Sequence, residues 1–101
     1  MAETLKELFD GELTTTSTTL YTVAASATVI VTEIIVANKT ATDTSATIRL
    51  GNSQVIPNKT IPANDALVVK LYSTLSAGKT ITGSAGASSA IDCRISGVEI
   101  T

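Results

Sequence analysis

The chain has no histidine and no tryptophan, one cysteine, two prolines and only three aromatic residues, Phe9, Tyr21 and Tyr72, in 101 positions. Each shortage closes a class of chemistry. Without histidine, neither a Ser-His-Asp nor a Cys-His nucleophile can be assembled, and a tetrahedral zinc site loses its commonest nitrogen ligand. Cys93 has no second cysteine to pair with, and its alternation with Ile91 and Ile95 marks it as a core side chain. A formal charge of −2 supplies no basic stripe to neutralise phosphates, so nucleic acid is not an expected partner. No run of about 18 apolar residues is present to span a bilayer, and Glu3, Lys6 and Glu7 stand where a signal peptide would be apolar. A soluble product with no membrane partner, remaining where it is translated, is the expectation.

What the chain does have is aliphatic. Hydrophobic residues make up 44% of it, most of them Ala, Val, Ile and Leu, and the length suits one domain with a thin core. From Leu13 onward the apolar residues follow a period of two. Thr28 to Ala37 (TVIVTEIIVA) is the strongest strand: Val29, Val31, Ile35 and Ala37 alternate against Ile30, Thr32, Ile34 and Val36, and both faces read as apolar. Such a strand belongs at the centre of a sheet or at an interface. Ala46, Ile48 and Leu50 form a second strand, which Gly51-Asn52 turns into Gln54 to Ile56. Pro57 and Pro62 confine the next stretch to an edge or a crossing loop. Leu67, Val69 and Leu71 then face one way and Lys70 the other. Ala77-Gly78-Lys79 is a turn before Thr80 to Ser84, and the small residues from Gly83 to Ala90 read as a loop. In the last strand Ile91, Cys93 and Ile95 share one parity and Val98 and Ile100 the other. A β-bulge at Gly97 would keep both sets on the same face; a strand that passes from one sheet to the other, or whose final turn packs on a partner chain, is the rival.

The organisation differs before Gly11. Leu5, Leu8 and Phe9 lie at helical spacing with Glu3, Lys6, Glu7 and Asp10 opposite them, which predicts a short helical arm over residues 1–11 preceding a sandwich domain at 12–101. Burial of the three apolar side chains returns roughly 1.5–3 kcal/mol each, whereas ordering about eight residues costs about 1–2 kcal/mol apiece. The arm therefore needs a surface, on its own sandwich or on a neighbouring subunit.

Motifs for catalysis fail one by one. Ala77-Gly78-Lys79-Thr80 has the tail of a phosphate-binding loop, but Ser73 stands at the first glycine and a strand follows instead of a helix. Asp43, Asp65 and Glu99 sit near turns or a terminus, where carboxylates are ordinary solvated surface. Asn38-Lys39-Thr40 and Asn58-Lys59-Thr60 match the glycosylation pattern and, with no secretory segment, read as turns. No catalytic residue, metal ligand or cofactor site is assigned. Glu33 stands out by interrupting the apolar parity of Val31 and Ile35, and a lone buried carboxylate is costly. It is expected to be exposed, or paired with Arg49 or Arg94 on an adjacent strand. The expected interaction residues are Leu5, Leu8, Phe9, Glu33, Val98 and Ile100.

The order Leu13-Thr14-Thr15, Leu20 to Ala24, the long strand TVIVTEIIVAN, Ile61 to Leu67, Leu75 to Ile81 and the closing Ile95-Ser96-Gly97-Val98-Glu99 resembles small β-sandwich virion proteins of tailed bacteriophages. The likeness spans Leu13 to Thr101. Together with the strand pattern it leads to an all-β fold, an antiparallel β-sandwich of jelly-roll or immunoglobulin-like type. It implies a non-enzymatic capsid decoration protein, present in the virion after synthesis in the host cytoplasm, with the major capsid protein or another virion protein as partner. A tail, collar, baseplate or fibre component is the alternative, and a receptor- or carbohydrate-binding module the alternative of another class. A homo-oligomer is expected because Thr28 to Ala37 is apolar on both parities, and a trimer because such virion parts occupy threefold positions.

Overall fold

The computed structural model describes residues 2–101, and the described residues are strands and connections with no helix. Eight strands follow one another: β1 (Glu3–Glu12), β2 (Thr18–Thr22), β3 (Thr28–Asn38), β4 (Thr44–Leu50), β5 (Ser53–Ile61), β6 (Ala66–Leu75), β7 (Thr80–Ala85) and β8 (Ile91–Ile100). They form two four-stranded sheets, here called A, in the order β1-β8-β3-β6, and B, in the order β2-β7-β4-β5. Every pairing is antiparallel. Only β4 and β5 form a hairpin, through Gly51 at φ +61° and Asn52; each other connection carries the chain from one sheet to the other. The result is sandwich-like, because the buried side chains of both sheets make one cluster. Val29, Val31, Ile34, Val36, Ile91 and Ile95 come from sheet A, and Ile48, Ile56, Ile61 and Ile81 from sheet B, all at most 2% exposed.

The expected helical arm over residues 1–11 is not formed. Met1 lies outside the described residues, and Glu3–Glu12 is strand β1, laid along β8 at the edge of sheet A. A ladder of main-chain hydrogen bonds to β8 supplies what an isolated arm lacks. Leu8 is the extra residue of a bulge between the pairs Glu7–Ser96 and Phe9–Ile95, and its side chain is 5% exposed. A bulge breaks the period of two by one residue, so Leu5 points outward and Leu8 inward. Their three-residue separation imitates a helical repeat. The two ends of β1 and β8 close on each other, with Ala2 N–H donating to Thr101 O at 3.0 Å and Thr101 N–H to Ala2 O at 2.9 Å.

The phase slip expected within β8 lies instead in the strands beside it. β8 keeps one parity throughout, with Ile91, Cys93, Ile95 and Gly97 buried. Its neighbours β1 and β3 each carry an extra residue, Leu8 opposite Ile95-Ser96 and Thr32 opposite Ser96-Gly97. Glycine is required there, since a Cβ at Gly97 would lie 2.5 Å from the Ile30 carbonyl oxygen and 2.9 Å from Leu8 Cδ1. The bulge at Thr32 also revises the reading of β3. The core parity is Val29, Val31, then Ile34, Val36 and Asn38, while Ile30, Glu33, Ile35 and Ala37 look outward. Val98 and Ile100 share the outer face of β8 and do not rejoin the core.

All four edge strands are irregular on themselves. β1 bulges at Leu8, β2 at Leu20, β5 at Pro57-Asn58 and again at Val55, and β6 at Leu71-Tyr72. Bulged edges do not template the addition of another strand.

Candidate functional site

The two outer faces of the sandwich differ in character. On sheet B one cross-strand row reads Thr19, Thr82, Arg49 and Gln54, and the shallow groove there is completed by Ser17, Thr47 and Ser84. On sheet A the corresponding rows are apolar at one end. Leu5, Val98, Ile30 and Thr74 stand side by side across β1, β8, β3 and β6, with Ile100 one step beyond Val98. The large apolar side chains most open to water, Leu5 at 86%, Val68 at 51% and Tyr72 at 89% exposed, all lie on this face. Tyr72 borders a depression of about 410 Å³ floored by Thr32, Glu33, Lys70, Leu71 and Ser96. A second depression, with Leu5, Glu7 and Arg94 in its wall, shares Thr32 and Ser96 with the first. Both depressions border Thr32 and Ser96, where the bulges of β3 and its neighbours disturb the pleat.

Four of the six expected interaction residues, Leu5, Glu33, Val98 and Ile100, meet on the outer face of sheet A. The other two do not. Leu8 is in the core, and Phe9 is half-buried, its ring folded over Gly11 on the inner side. Glu33 is on the outer face as expected, but its partner is Lys70, at 3.4 Å, and neither arginine. Arg49 belongs to the other sheet, and Arg94 sits between Glu7 at 2.8 Å and Asp10 at 3.3 Å on β1. The contributions of Val68, Lys70 and Tyr72 were readable only as the polar-side parity of β6.

Charge is arranged in cross-strand pairs toward the Glu12 end of this face. Lys39 bridges Glu12 and Asp92, and hydrogen bonds first to Glu12 and then to Asp92 raise its ammonium above the usual lysine range. On the inner parity, Lys6 donates to Glu99 at 3.3 Å and lies 5.7 Å from the centre of the Tyr21 ring, while Tyr21 Oη donates to Glu99 at 3.2 Å across to sheet B. Glu99, and then Tyr21, raise the Lys6 pKa. The Lys39 pairs are exposed and fix geometry more than they add stability, whereas the Glu99 carboxylate is half-buried between Lys6 and Tyr21.

Among the described residues no three His, Cys, Asp or Glu side chains converge to hold a metal ion. Cys93 is sealed in the core, where burial pushes its thiol up to about 12, so the nucleophilic thiolate is not formed near neutral pH. No protein-family model matches the chain, and no curated protein is similar to it.

Proposed function

We propose that the chain is a non-enzymatic structural protein of a tailed-bacteriophage virion, and within that class a decoration protein bound in many copies to the assembled head. The observation that carries the reading is the inequality of the two outer faces: Leu5, Val68 and Tyr72 are held in water on sheet A, while the groove of sheet B is lined by hydroxyls, Gln54 and Arg49. Exposed apolar side chains gathered on one face mark a surface made for contact with another subunit. The strand order supports the same class. β1-β8-β3-β6 against β2-β7-β4-β5 is the order of an eight-stranded jelly roll, an architecture that serves capsid proteins and also lectins and cupins. The sequence likeness to small virion sandwiches favours the first of these.

The mechanism is surface complementarity without turnover. Many weak, identical contacts to the shell add to the work of separating its subunits, because each bound copy stabilises only the assembled state. Purified protein mixed with heads that lack it should bind saturably and raise the temperature at which the shells open. Failure to pellet with the particles refutes the decoration role, and recovery of the chain in the tail fraction of disrupted virions assigns it to the tail.

A carbohydrate-binding role is the second reading, favoured by one observation: the Tyr72 ring stands open beside a depression that also holds Glu33, Lys70 and Ser96, an aromatic face with hydrogen-bonding groups next to it. Binding to an array of surface glycans that Tyr72→Ala abolishes would establish it.

A further inference from the structure

The ladder of sheet A fixes which groups on its outer face lie beside one another. One row, read across β1, β8, β3 and β6, is Glu7, Ser96, Glu33 and Lys70; the next toward Ile100 is Leu5, Val98, Ile30 and Thr74. The first row is acidic at the β1 edge and ends in a cation at the β6 edge. Lys70 is 80% exposed and only loosely tied to Glu33, at 3.4 Å, so its ammonium is free to reach outward. Two such sheets can be laid face to face about a twofold axis in two aligned ways. An axis perpendicular to the strands stacks β1 on β1, bringing Glu7, Asp10 and Glu12 with their in-chain partners Arg94 and Lys39 against the same groups, and stacks β6 on β6, where Lys70 finds no acid. An axis parallel to the strands, passing between β8 and β3, reverses the row, so that β1 of each copy lies over β6 of the other.

The geometry points to a homodimer in which two copies of this chain pack sheet A against sheet A about a twofold axis parallel to the strands, Glu7 of each copy facing Lys70 of the other. In the apolar row the same operation places Val98 of one copy against Ile30 of the second. Aligned sheets pack about 10 Å apart with strand directions within about 30°, which keeps these rows in register near the axis. Four strands about 4.8 Å apart and about ten residues long cover roughly 600 Å² on each copy, so the pair reaches the lower bound of a specific interface. Strand addition does not compete, since each sheet edge is bulged. The dimer leaves the hydroxyl-lined faces of sheet B outermost. It takes the same face that carries the virion reading: within that reading the second copy is the subunit that covers sheet A, and sheet B is left to meet the shell.

The test is a charge-swap experiment on the full chain by sedimentation velocity, with folding checked by circular dichroism. Wild type at tens of micromolar is expected as a species of twice the 10.4 kDa chain mass. Glu7→Lys and Lys70→Glu are each expected to weaken the dimer about tenfold or more, and an equimolar mixture of the two variants is expected to form a heterodimer in which both cross-copy pairs are restored. Leu5→Asp, at a side chain already open to water in the single chain, is expected to leave a folded monomer. Arg49→Glu on sheet B is expected to change nothing. A monomeric or trimeric wild type, a single variant that dimerises as wild type does, or a mixture that stays monomeric overturns the proposal. Each of these results leaves binding to heads to be decided separately.

Discussion

Among the described residues Asn38 is the one buried polar side chain, 2% exposed, and each of its polar atoms is engaged. Nδ2–H donates to Thr42 O at 2.9 Å and Ile61 O at 3.0 Å, and Oδ1 accepts from Thr40 N–H at 3.0 Å and Thr40 Oγ1 at 2.7 Å. It ties the turn after β3 to the end of β5, which is the reason a glycosylation-like triplet begins there and also why that asparagine is closed to modification in the folded chain. Asn38→Ala strands the Ile61 carbonyl and frees the loop, and is expected to cost about 2–3 kcal/mol in urea unfolding with an unchanged m-value. Cys93 offers a second residue-level test, through pH. Its folded pKa of about 12 stands above the ordinary 9.0 because burial penalises the thiolate. Below pH 9.0 both folded and unfolded chains keep the proton and the group is neutral toward stability. Above it the unfolded chain loses the proton first, so stability falls by about 1.4 kcal/mol per pH unit until the folded thiol also ionises near 12. Urea midpoints measured from about pH 8 to pH 10 should therefore decline more steeply for wild type than for Cys93→Ala. Equal slopes would show that another group is responsible.

At the scale of the element, β1 separates side chains that the sequence placed together. Leu8→Ala, emptying a core position, is expected to cost about 2–4 kcal/mol, whereas Leu5→Ala should stay within about 0.5 kcal/mol when the chain is kept below self-association. A surface-docked helix would have made both costly, so the pair of variants distinguishes strand from arm. This element also shows what a local reading can and cannot extract. The unbroken alternations were legible: Ala46, Ile48 and Leu50, the Gly51-Asn52 turn, the parity of β6, and Ile91, Cys93 and Ile95 all lie as their spacing demands. The bulges were not. One residue inserted at Leu8 turned a strand into an apparent helix, and one at Thr32 made a strand with a single core face look apolar on both. Gly97 signalled an irregularity but not its owner, because the missing Cβ makes room for insertions in strands that are distant in sequence. The outer-face group of Leu5, Glu33, Val98 and Ile100 was recoverable in part from parity alone; Lys70 as the partner of Glu33 was not, since adjacency of β3 and β6 is a property of topology.

For the whole molecule, topology is also the kinetic determinant. Apart from the β4–β5 hairpin, every pairing joins strands separated by other strands in the sequence, with β1 held against β8. Chain closure must be largely complete before these contacts form, so refolding in stopped-flow experiments is expected on the millisecond-to-second scale; a sub-millisecond phase that completes the fold would contradict the observed strand order. The same long-range pairing explains why spacing and turn chemistry reached the sandwich class and left jelly-roll and immunoglobulin-like order undecided.

The reciprocal hydrogen bonds between Ala2 and Thr101 bring the two ends of the described chain to one point. A linker of a few residues would therefore join them without crossing the molecule, and new ends could be opened at the Gly86 to Ser89 loop, giving a circular permutant with all eight strands in their present neighbours' company. For the same reason, a peptide fused at residue 2 and another fused at residue 101 would emerge from a single spot, so the domain can be spliced into a loop of a second protein with little demand on the host.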